Sequence, residues 1–173
     1  MSTTFVVIGG DAAGMSAASK AKRDDPTLDV IVFEKGQWVS YGACGLPYYV
    51  KGEIESLDDL VSITPEEFID DRDIDLRLGH EVTGIDTAAK TVTVEADGDR
   101  FEQAYDSLLV STGARALEPP IDGMDLEGVF TLHRMHEGGD VRAFIEEKDP
   151  DSVGIIGGGY IGLEMAEAFR GRG

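Results

Sequence analysis

The sequence predicts an α/β fold with a parallel sheet, flanking helices and a small antiparallel section. Two observations lead to this prediction. Short apolar segments are followed by a glycine turn and a helical pattern, once at the start of the chain and again from about residue 152. Between these regions the hydrophobic pattern changes to a period of two, which is typical of half-buried strands.

The first strand–helix–strand unit occupies the beginning of the chain. The apolar segment Thr3–Ile8 predicts a buried strand, and a pattern rich in small residues predicts a helix over Ala12–Arg23. A second apolar strand, Leu28–Phe33, follows and is closed by Glu34. Two strands joined by a helix are expected to be parallel, with a right-handed crossover.

The middle of the chain combines a helix start with the antiparallel section. Thr64 can cap a helix, Pro65 suits its first position and Glu67 completes a capping box. The residues from Asp75 to Val110 alternate in hydrophobicity, and Asp97-Gly98 is typical of a hairpin turn. We therefore expect an antiparallel section over these residues.

The last third of the chain predicts a second strand–helix unit. A buried strand over Ser107–Thr112 is followed by a connector and by a helix over Val141–Lys148. A further strand is predicted at Ser152–Ile156, and a further helix at Tyr160–Arg170. A unit of this kind needs another strand to complete its crossover, so we expect the sequence to be truncated.

These elements divide the chain into three predicted regions. Residues 1–113 are expected to form a first nucleotide-binding domain that includes the antiparallel section. Residues 114–148 are interpreted as a connector and a helix that returns to this domain, and residues 149–173 as the beginning of a second nucleotide-binding domain.

The composition excludes several classes of function. The chain has 34 acidic against 15 basic residues, and its formal net charge is -19. Such a surface repels nucleic-acid phosphates and anionic lipids, so neither is expected as a partner. The acidic residues are dispersed along the chain, which is typical of proteins from a very salty cytoplasm.

The sequence also predicts a cytoplasmic location. It shows no signal-peptide pattern and no apolar segment long enough to cross a bilayer. The single cysteine excludes an internal disulfide, and a reducing compartment is the usual place for such a chain.

The first chemical motif lies between the first predicted strand and helix. It is a variant of the dinucleotide fingerprint G-x-G-x-x-G, in which the middle glycine is replaced by Asp11. Glu34, twenty residues after the last glycine, could accept hydrogen bonds from both ribose hydroxyls. The alternative is that the glycines serve only helix packing. The candidate residues of the motif are Gly9, Gly10, Asp11, Ala12, Ala13 and Gly14.

The second chemical motif matches the same fingerprint in full. It follows the strand predicted at Ser152–Ile156 and opens the next helix, with Gly157, Gly159 and Gly162 at the glycine positions and Tyr160 and Ile161 between them. Two fingerprints predict two nucleotides, such as FAD and NAD(P)H, the second bound by this motif. Such a pairing implies electron transfer from a nicotinamide to a flavin.

Cys44 is the candidate nucleophile. A single cysteine is usually a small buried hydrophobic residue. Here it lies in a glycine-rich loop where a helix can begin, a setting that suits a reactive thiolate. Because the chain has no second cysteine, its oxidised partner must be an external thiol or an oxygen, as in a sulfenic acid.

Taken together, these motifs resemble the single-cysteine branch of the pyridine nucleotide-disulfide oxidoreductases. The resemblance rests on the two fingerprints, Glu34, the sequence SYGACGLPYY around Cys44, LLVSTGA and GGGYIGLE, and it covers the whole chain. It implies that Cys44 is redox-active and that the full-length protein is a homodimer. It also implies that FAD is lined by the residues of the first fingerprint and by Glu34, Lys35, Val82, Ser111, Thr112, Gly113 and Arg134.

One position favours a disulfide as the electron acceptor. Oxidases and peroxidases of this branch typically carry a histidine two residues before the last glycine of the first fingerprint, where this chain has Ala12. The resemblance therefore implies a coenzyme A disulfide reductase. The alternatives are an NADH oxidase, a persulfide reductase, and a nucleotide-binding module without turnover.

A group of hydroxyl and basic residues is the candidate substrate site. Ser16, Lys20 and Arg23 share one face of the first predicted helix, in a strongly acidic chain. Coenzyme A carries several phosphate charges that such a site could bind. The resemblance adds Ser40 and Ala43. The alternative is a solvated helix end. The histidines and the acidic residues near Glu66 have no spacing typical of a metal site.

Overall fold

The computed structural model describes residues 2–173, and these form two compact units. The first unit extends to Tyr41 and resumes over Val61–Gly113, and the second contains Gly42–Leu60 and Ala114–Gly173. Elements are numbered along the chain. Among the described residues, no helix is long and apolar enough to cross a membrane.

The first unit is built on a four-stranded parallel sheet. Its strands are β1 (Thr4–Ile8), β2 (Asp29–Glu34), β3 (Asp75–Leu78) and β7 (Ser107–Val110), in the order β3-β2-β1-β7. Helix α1 (Ala12–Asp24) connects β1 to β2. The first predicted unit is confirmed, with each boundary within one residue.

The expected antiparallel section is smaller than predicted. The antiparallel sheet contains β4 (Glu81–Asp86), β5 (Thr91–Ala96) and β6 (Asp99–Ala104). The flanking strands β3 and β7 belong to the parallel sheet. The prediction was wrong at both ends because a period of two is common to parallel and antiparallel strands. The predicted turn is confirmed, since Asp97 and Gly98 have φ values of 52° and 86°.

The core of the first unit lies on both faces of the parallel sheet. Val7 on β1 packs against Met15 and Ala18 of α1. The alternate residues Val6 and Ile8 belong to a second cluster on the opposite face, which includes the buried valines of β5. Strand β7 is less buried than predicted because it is an edge strand, and it ends at Val110, two residues early.

The second unit is helical. A 3-10 turn, Ala43–Gly45, leads directly into α2 (Leu46–Lys51), which packs with α3 (Met135–Lys148) and α4 (Tyr160–Arg172). Their shared core contains Val50, Val141 and Met165.

The helix predicted over Val141–Lys148 is confirmed as part of a longer helix, and the strand predicted after it needs correction. Helix α3 begins six residues before Val141, where the Arg134 N–H donates a hydrogen bond of 3.0 Å to the Glu137 carboxylate. The predicted strand Ser152–Ile156 is not paired as a strand, because no other strand among residues 2–173 bonds to it.

Candidate active site

The first glycine loop has no room for side chains at its critical positions. Gly9 has a φ of 105°, and a Cβ atom there would lie 2.4 Å from the carbonyl oxygen of Ser111. A Cβ atom on Gly14 would lie 1.9 Å from the carbonyl oxygen of Gly9. The missing side chains thus permit the tight turn and the close packing of α1 on β1 that a pyrophosphate-binding loop requires.

Glu34 is held at the end of β2 by the loops around it. Its Oε2 accepts a hydrogen bond of 2.8 Å from the Gly10 N–H, and its Oε1 accepts one of 2.7 Å from the Gly36 N–H. The carboxylate is therefore fixed beside the glycine loop, where the ribose of a bound dinucleotide would lie.

Asp11, which replaces the middle glycine of the fingerprint, connects this loop to the next. It is the N-cap residue of α1, and its Oδ1 accepts a hydrogen bond of 3.3 Å from the Tyr41 N–H. The Ser40 N–H donates to the carbonyl oxygen of Gly10 at 3.1 Å. Asp11 therefore has a structural role that a glycine could not fill.

The residues after β7 support the same loop. The hydroxyl of Ser111 donates to the carbonyl oxygens of Ile8 and Gly9, at 2.9 and 3.2 Å. Thr112 and Gly113 follow and are exposed.

The other proposed flavin residues are more dispersed. In the first unit, Ala12 and Ala13 are exposed on the first turn of α1, Lys35 forms an ion pair with Glu81, and Val82 packs into the sheet core. Arg134, in the second unit, donates to the carbonyl oxygen of Ala114 at 3.3 Å.

The second glycine loop repeats the geometry of the first. Gly157 has a φ of 110°, and a Cβ atom on Gly162 would lie 2.1 Å from the Gly157 carbonyl oxygen. The same spacing of five residues gives the same close approach in both loops. Gly159 is the N-cap of α4, and Tyr160 and Ile161 in its first turn are exposed.

Cys44 is exposed, in the middle of the 3-10 turn that precedes α2. The turn is closed by a hydrogen bond of 2.9 Å from the Gly45 N–H to the carbonyl oxygen of Gly42. A Cβ atom on Gly45 would lie 2.2 Å from Leu60 Cδ2, so the turn packs closely behind the thiol. The thiol is thus accessible on a closely packed turn.

A pocket of about 330 Å³ in the first unit brings together most of the predicted substrate residues. Ser16, Arg23 and Ser40 line it. Lys20 does not, because its ammonium pairs with Asp24 on the same helix. Ala43 is an exposed residue of the second unit. The pocket is completed by Asp11, Ala12, Met15, Ser19, Tyr41, Ser62, Ile63, Phe68 and Arg72.

Sequence reasoning missed Arg72, a second guanidinium of this pocket. Its Nη1 donates to the Ser19 hydroxyl at 2.9 Å, and its guanidinium carbon lies 4.9 Å from the centre of the Phe68 ring. Arg72 is the one basic residue of the acidic stretch near Glu66, over residues 66–73. Its place among acidic residues was the sequence feature that could have identified it.

The histidines do not line this pocket. His80 packs against the rings of Phe33 and Phe101, and its Nδ1 is 2.7 Å from the carbonyl oxygen of Leu78. Over residues 2–173, no group of three or more His, Cys, Asp or Glu side chains could hold a metal ion.

Comparison with known proteins identifies relatives along the whole chain. It is 47% identical over 170 residues to the NAD(P)H sulfur oxidoreductase (CoA-dependent) of Pyrococcus abyssi, covering 98% of this chain and 37% of that protein. It is 34% identical to the coenzyme A disulfide reductase of Staphylococcus haemolyticus, covering 98% of this chain and 38% of that protein. The chain thus spans somewhat more than a third of the length of these relatives.

A solved structure shows the same fold. The reduced CoADR-RHD protein of Bacillus anthracis superposes with a TM-score of 0.96 at 35% identity, over 99% of this chain and 31% of that chain. Residues 3–173 match the model of the family described as pyridine nucleotide-disulphide oxidoreductase, whose members depend on FAD and a nicotinamide nucleotide. The chain belongs to this family of oxidoreductases.

Proposed function

We propose that this chain is the flavin-binding and thiol-bearing part of an NAD(P)H-dependent coenzyme A disulfide reductase. The observation that carries the proposal is the pocket with two guanidinium groups, Arg23 and Arg72, in a chain of net charge -19. Guanidinium groups bind phosphate oxygens through charge-assisted hydrogen bonds. Serine hydroxyls and the Phe68 ring add polar and apolar contacts for a nucleotide.

Cys44 is close to this pocket along the chain. It follows Tyr41, which lines the pocket, with two residues between them. Three residue steps span at most about 11 Å along the chain. This covalent spacing supports the proposal that a disulfide carried by the nucleotide is the substrate of Cys44.

The residues around the first glycine loop suit FAD. The close approaches at Gly9 and Gly14 leave the backbone free to contact a pyrophosphate, and the fixed carboxylate of Glu34 suits a ribose. When bound, FAD supplies the two-electron chemistry that links the nicotinamide to sulfur. We assign the second loop, with Gly157, Gly159 and Gly162, to NAD(P)H. The cytoplasmic location and homodimeric assembly of the whole protein belong to the same proposal.

Cys44 acts in this proposal by thiol–disulfide exchange. Its thiolate attacks one sulfur of coenzyme A disulfide, a bond forms between the two sulfurs, and the second coenzyme A leaves as a thiolate. Two electrons from NAD(P)H and two protons then convert the mixed disulfide and the released thiolate into two coenzyme A thiols and restore the Cys44 thiolate. The net reaction consumes one NAD(P)H, one proton and one disulfide and gives two molecules of coenzyme A.

A coenzyme A persulfide is the second candidate substrate. It is favoured by the 47% identity to the CoA-dependent sulfur oxidoreductase. Its nucleotide part would use the same pocket, but reduction would release sulfide and one coenzyme A. An NADH oxidase is less favoured, because Ala12 supplies no proton-transferring group in the glycine loop.

The proposal is tested by the mass of the chain after incubation with coenzyme A disulfide. The unchanged chain should gain one coenzyme A, and Cys44→Ser should gain none while still binding FAD. Arg72→Gln should slow the reaction about tenfold through the loss of one charge-assisted phosphate contact. Arg100→Gln, an exposed arginine on β6, is the matched control and should react at the original rate.

Two results would contradict the proposal. A coenzyme A adduct on Cys44→Ser would show that Cys44 is not the residue that reacts. Equal rates of adduct formation for Arg72→Gln and Arg100→Gln would show that the pocket does not bind the substrate.

A further inference from the structure

Helix α2 is too short to fix its own orientation. It has six residues and begins directly after the turn that carries Cys44. Isolated helices of this length are unstable in water, so external contacts must hold α2 in place. Any contact that orients α2 therefore also orients the thiol.

The end of α2 nearest to Cys44 is seated on α3. Leu46 is 1% exposed, and a Cβ atom on Gly138 of α3 would lie 2.7 Å from its Cδ2 atom. Gly138 therefore leaves the space that Leu46 occupies, two residues after the cysteine.

The other end of α2 is held by Arg142, one turn further along the same face of α3. Its Nη1 donates to the carbonyl oxygens of Tyr49, Ile54 and Glu55, at 3.3, 2.9 and 3.2 Å. Its guanidinium carbon lies 4.6 Å from the centre of the Tyr49 ring. Tyr49 belongs to α2, whereas Ile54 and Glu55 lie in the segment that follows it, so Arg142 ties the end of the helix and this segment to α3.

Arg142 is itself held rigidly. Its Nε donates to Glu146 at 2.8 Å, and its side chain is only 21% exposed. The hydrogen bond to Glu146 raises the pKa of Arg142 above its ordinary value, so the side chain is always charged. From α4, Arg172 donates to the carbonyl oxygen of Val50 at 2.7 Å, which gives α2 a second anchor.

We infer that Arg142 is a positioning residue for Cys44, which acts by fixing α2 against α3 through the carbonyl group of Tyr49 and those of the segment that follows α2. The inference rests on the proposed role of Cys44 and extends it. A thiol that attacks an anchored disulfide needs a fixed position, since a displacement of about 1 Å can cost a factor of about 100 in rate. An untethered disulfide makes no such demand.

The test uses the single cysteine as a unique labelling site. A nitroxide attached to Cys44 should become more mobile by a factor of about two in Arg142→Gln, because α2 loses its anchor. In the unlabelled chain, the ratio of the reaction rate with coenzyme A disulfide to that with bis(2-hydroxyethyl) disulfide should fall at least about tenfold. Arg142→Lys should retain part of the ratio that is lost in Arg142→Gln. Gly138→Ala, which disturbs the other contact of α2, should lower it as well.

Arg170→Gln is the matched control, because Arg170 is exposed on α4 and the charge change is the same. It should change neither the nitroxide mobility nor the rate ratio. Unchanged mobility in a folded Arg142→Gln overturns the inference, as does a changed mobility with an unchanged ratio. If Arg142→Gln does not fold, unchanged values in both Arg142→Lys and Gly138→Ala overturn it.

Failure of the proposed function gives a different result. The unchanged chain would then react with both disulfides at similar rates. The nitroxide mobility would still decide whether Arg142 holds Cys44.

Discussion

At Gly14 the first loop has room for a hydrogen atom and not for a side chain. The position of its missing Cβ lies 1.9 Å from the carbonyl oxygen of Gly9, which is a backbone atom and cannot rotate away. The glycine loop therefore requires Gly14 because a larger residue would not fit. Backbone freedom is not the reason, since the φ of Gly14 is not positive.

Gly14→Ala should destabilise the fold and impair flavin binding. The overlap forces a backbone shift, which we expect to lower the free energy of unfolding by about 1–3 kcal/mol. Thermal unfolding and an absorbance titration with FAD in high salt measure the two effects. Gly154→Ala is the control, because nothing lies within 4 Å of its Cβ position. Equal FAD affinities in the two variants would contradict the assignment of this loop.

The sequence was informative about residues whose role is local, and less so about residues that act across the chain. The glycines and the capping pair Thr64 and Glu67 could be identified from spacing alone. Arg72 could have been noticed only as an exception in an acidic stretch. The role of Arg142 could not have been predicted, because it binds carbonyl groups about 90 positions away, and any residue can provide those.

At the scale of elements, the helices were predicted more reliably than the pairing of the strands. Strand β3 alternates like an antiparallel strand but pairs with β2 in the parallel sense. The pattern of one strand shows which face is buried and not which neighbour it will have. The apolar segment Ser152–Ile156 shows the same limit, because a strand requires a partner as well as a pattern.

The short segment before β3 illustrates how a local signal supports the site. The Glu67 N–H donates to the Thr64 hydroxyl at 3.3 Å, and the Thr64 N–H donates to the Glu67 carboxylate at 2.9 Å. This confirms the predicted capping box, although the segment that follows, Glu67–Asp71, is π-helical. It delivers the fully buried Phe68 to the core and leads to Arg72 in the pocket.

Thr64→Ala should therefore lower the free energy of unfolding by about 1 kcal/mol, because a cap hydrogen bond is lost. Chemical denaturation measures the change. Thr3→Ala, an exposed threonine outside any helix, should have little effect. A loss as large for Thr3→Ala as for Thr64→Ala would show that the cap is not responsible.

At the scale of the whole molecule, the net charge of -19 is the dominant feature. The ion pairs among residues 2–173 are mostly exposed, and pairs of this kind contribute little stability each. Nineteen uncompensated negative charges repel one another more strongly in dilute buffer than in concentrated salt, where the Debye length is about 3 Å at 1 M.

We expect the midpoint of thermal unfolding to rise with the concentration of KCl from dilute buffer to the molar range. Circular dichroism at a fixed, low protein concentration measures the midpoint. Greater stability in dilute buffer would contradict the interpretation that the acidic surface is adapted to salt.

Salt is also expected to act on the exposed apolar residues around the start of α4. Ile156, Tyr160 and Leu163 are 85%, 90% and 62% exposed. Mutual repulsion between whole molecules keeps such surfaces apart in dilute buffer, and salt removes this barrier while it strengthens hydrophobic attraction. We therefore expect the salt concentrations predicted to favour the folded chain to favour its clustering as well, so that colloidal and conformational stability respond to salt in opposite directions.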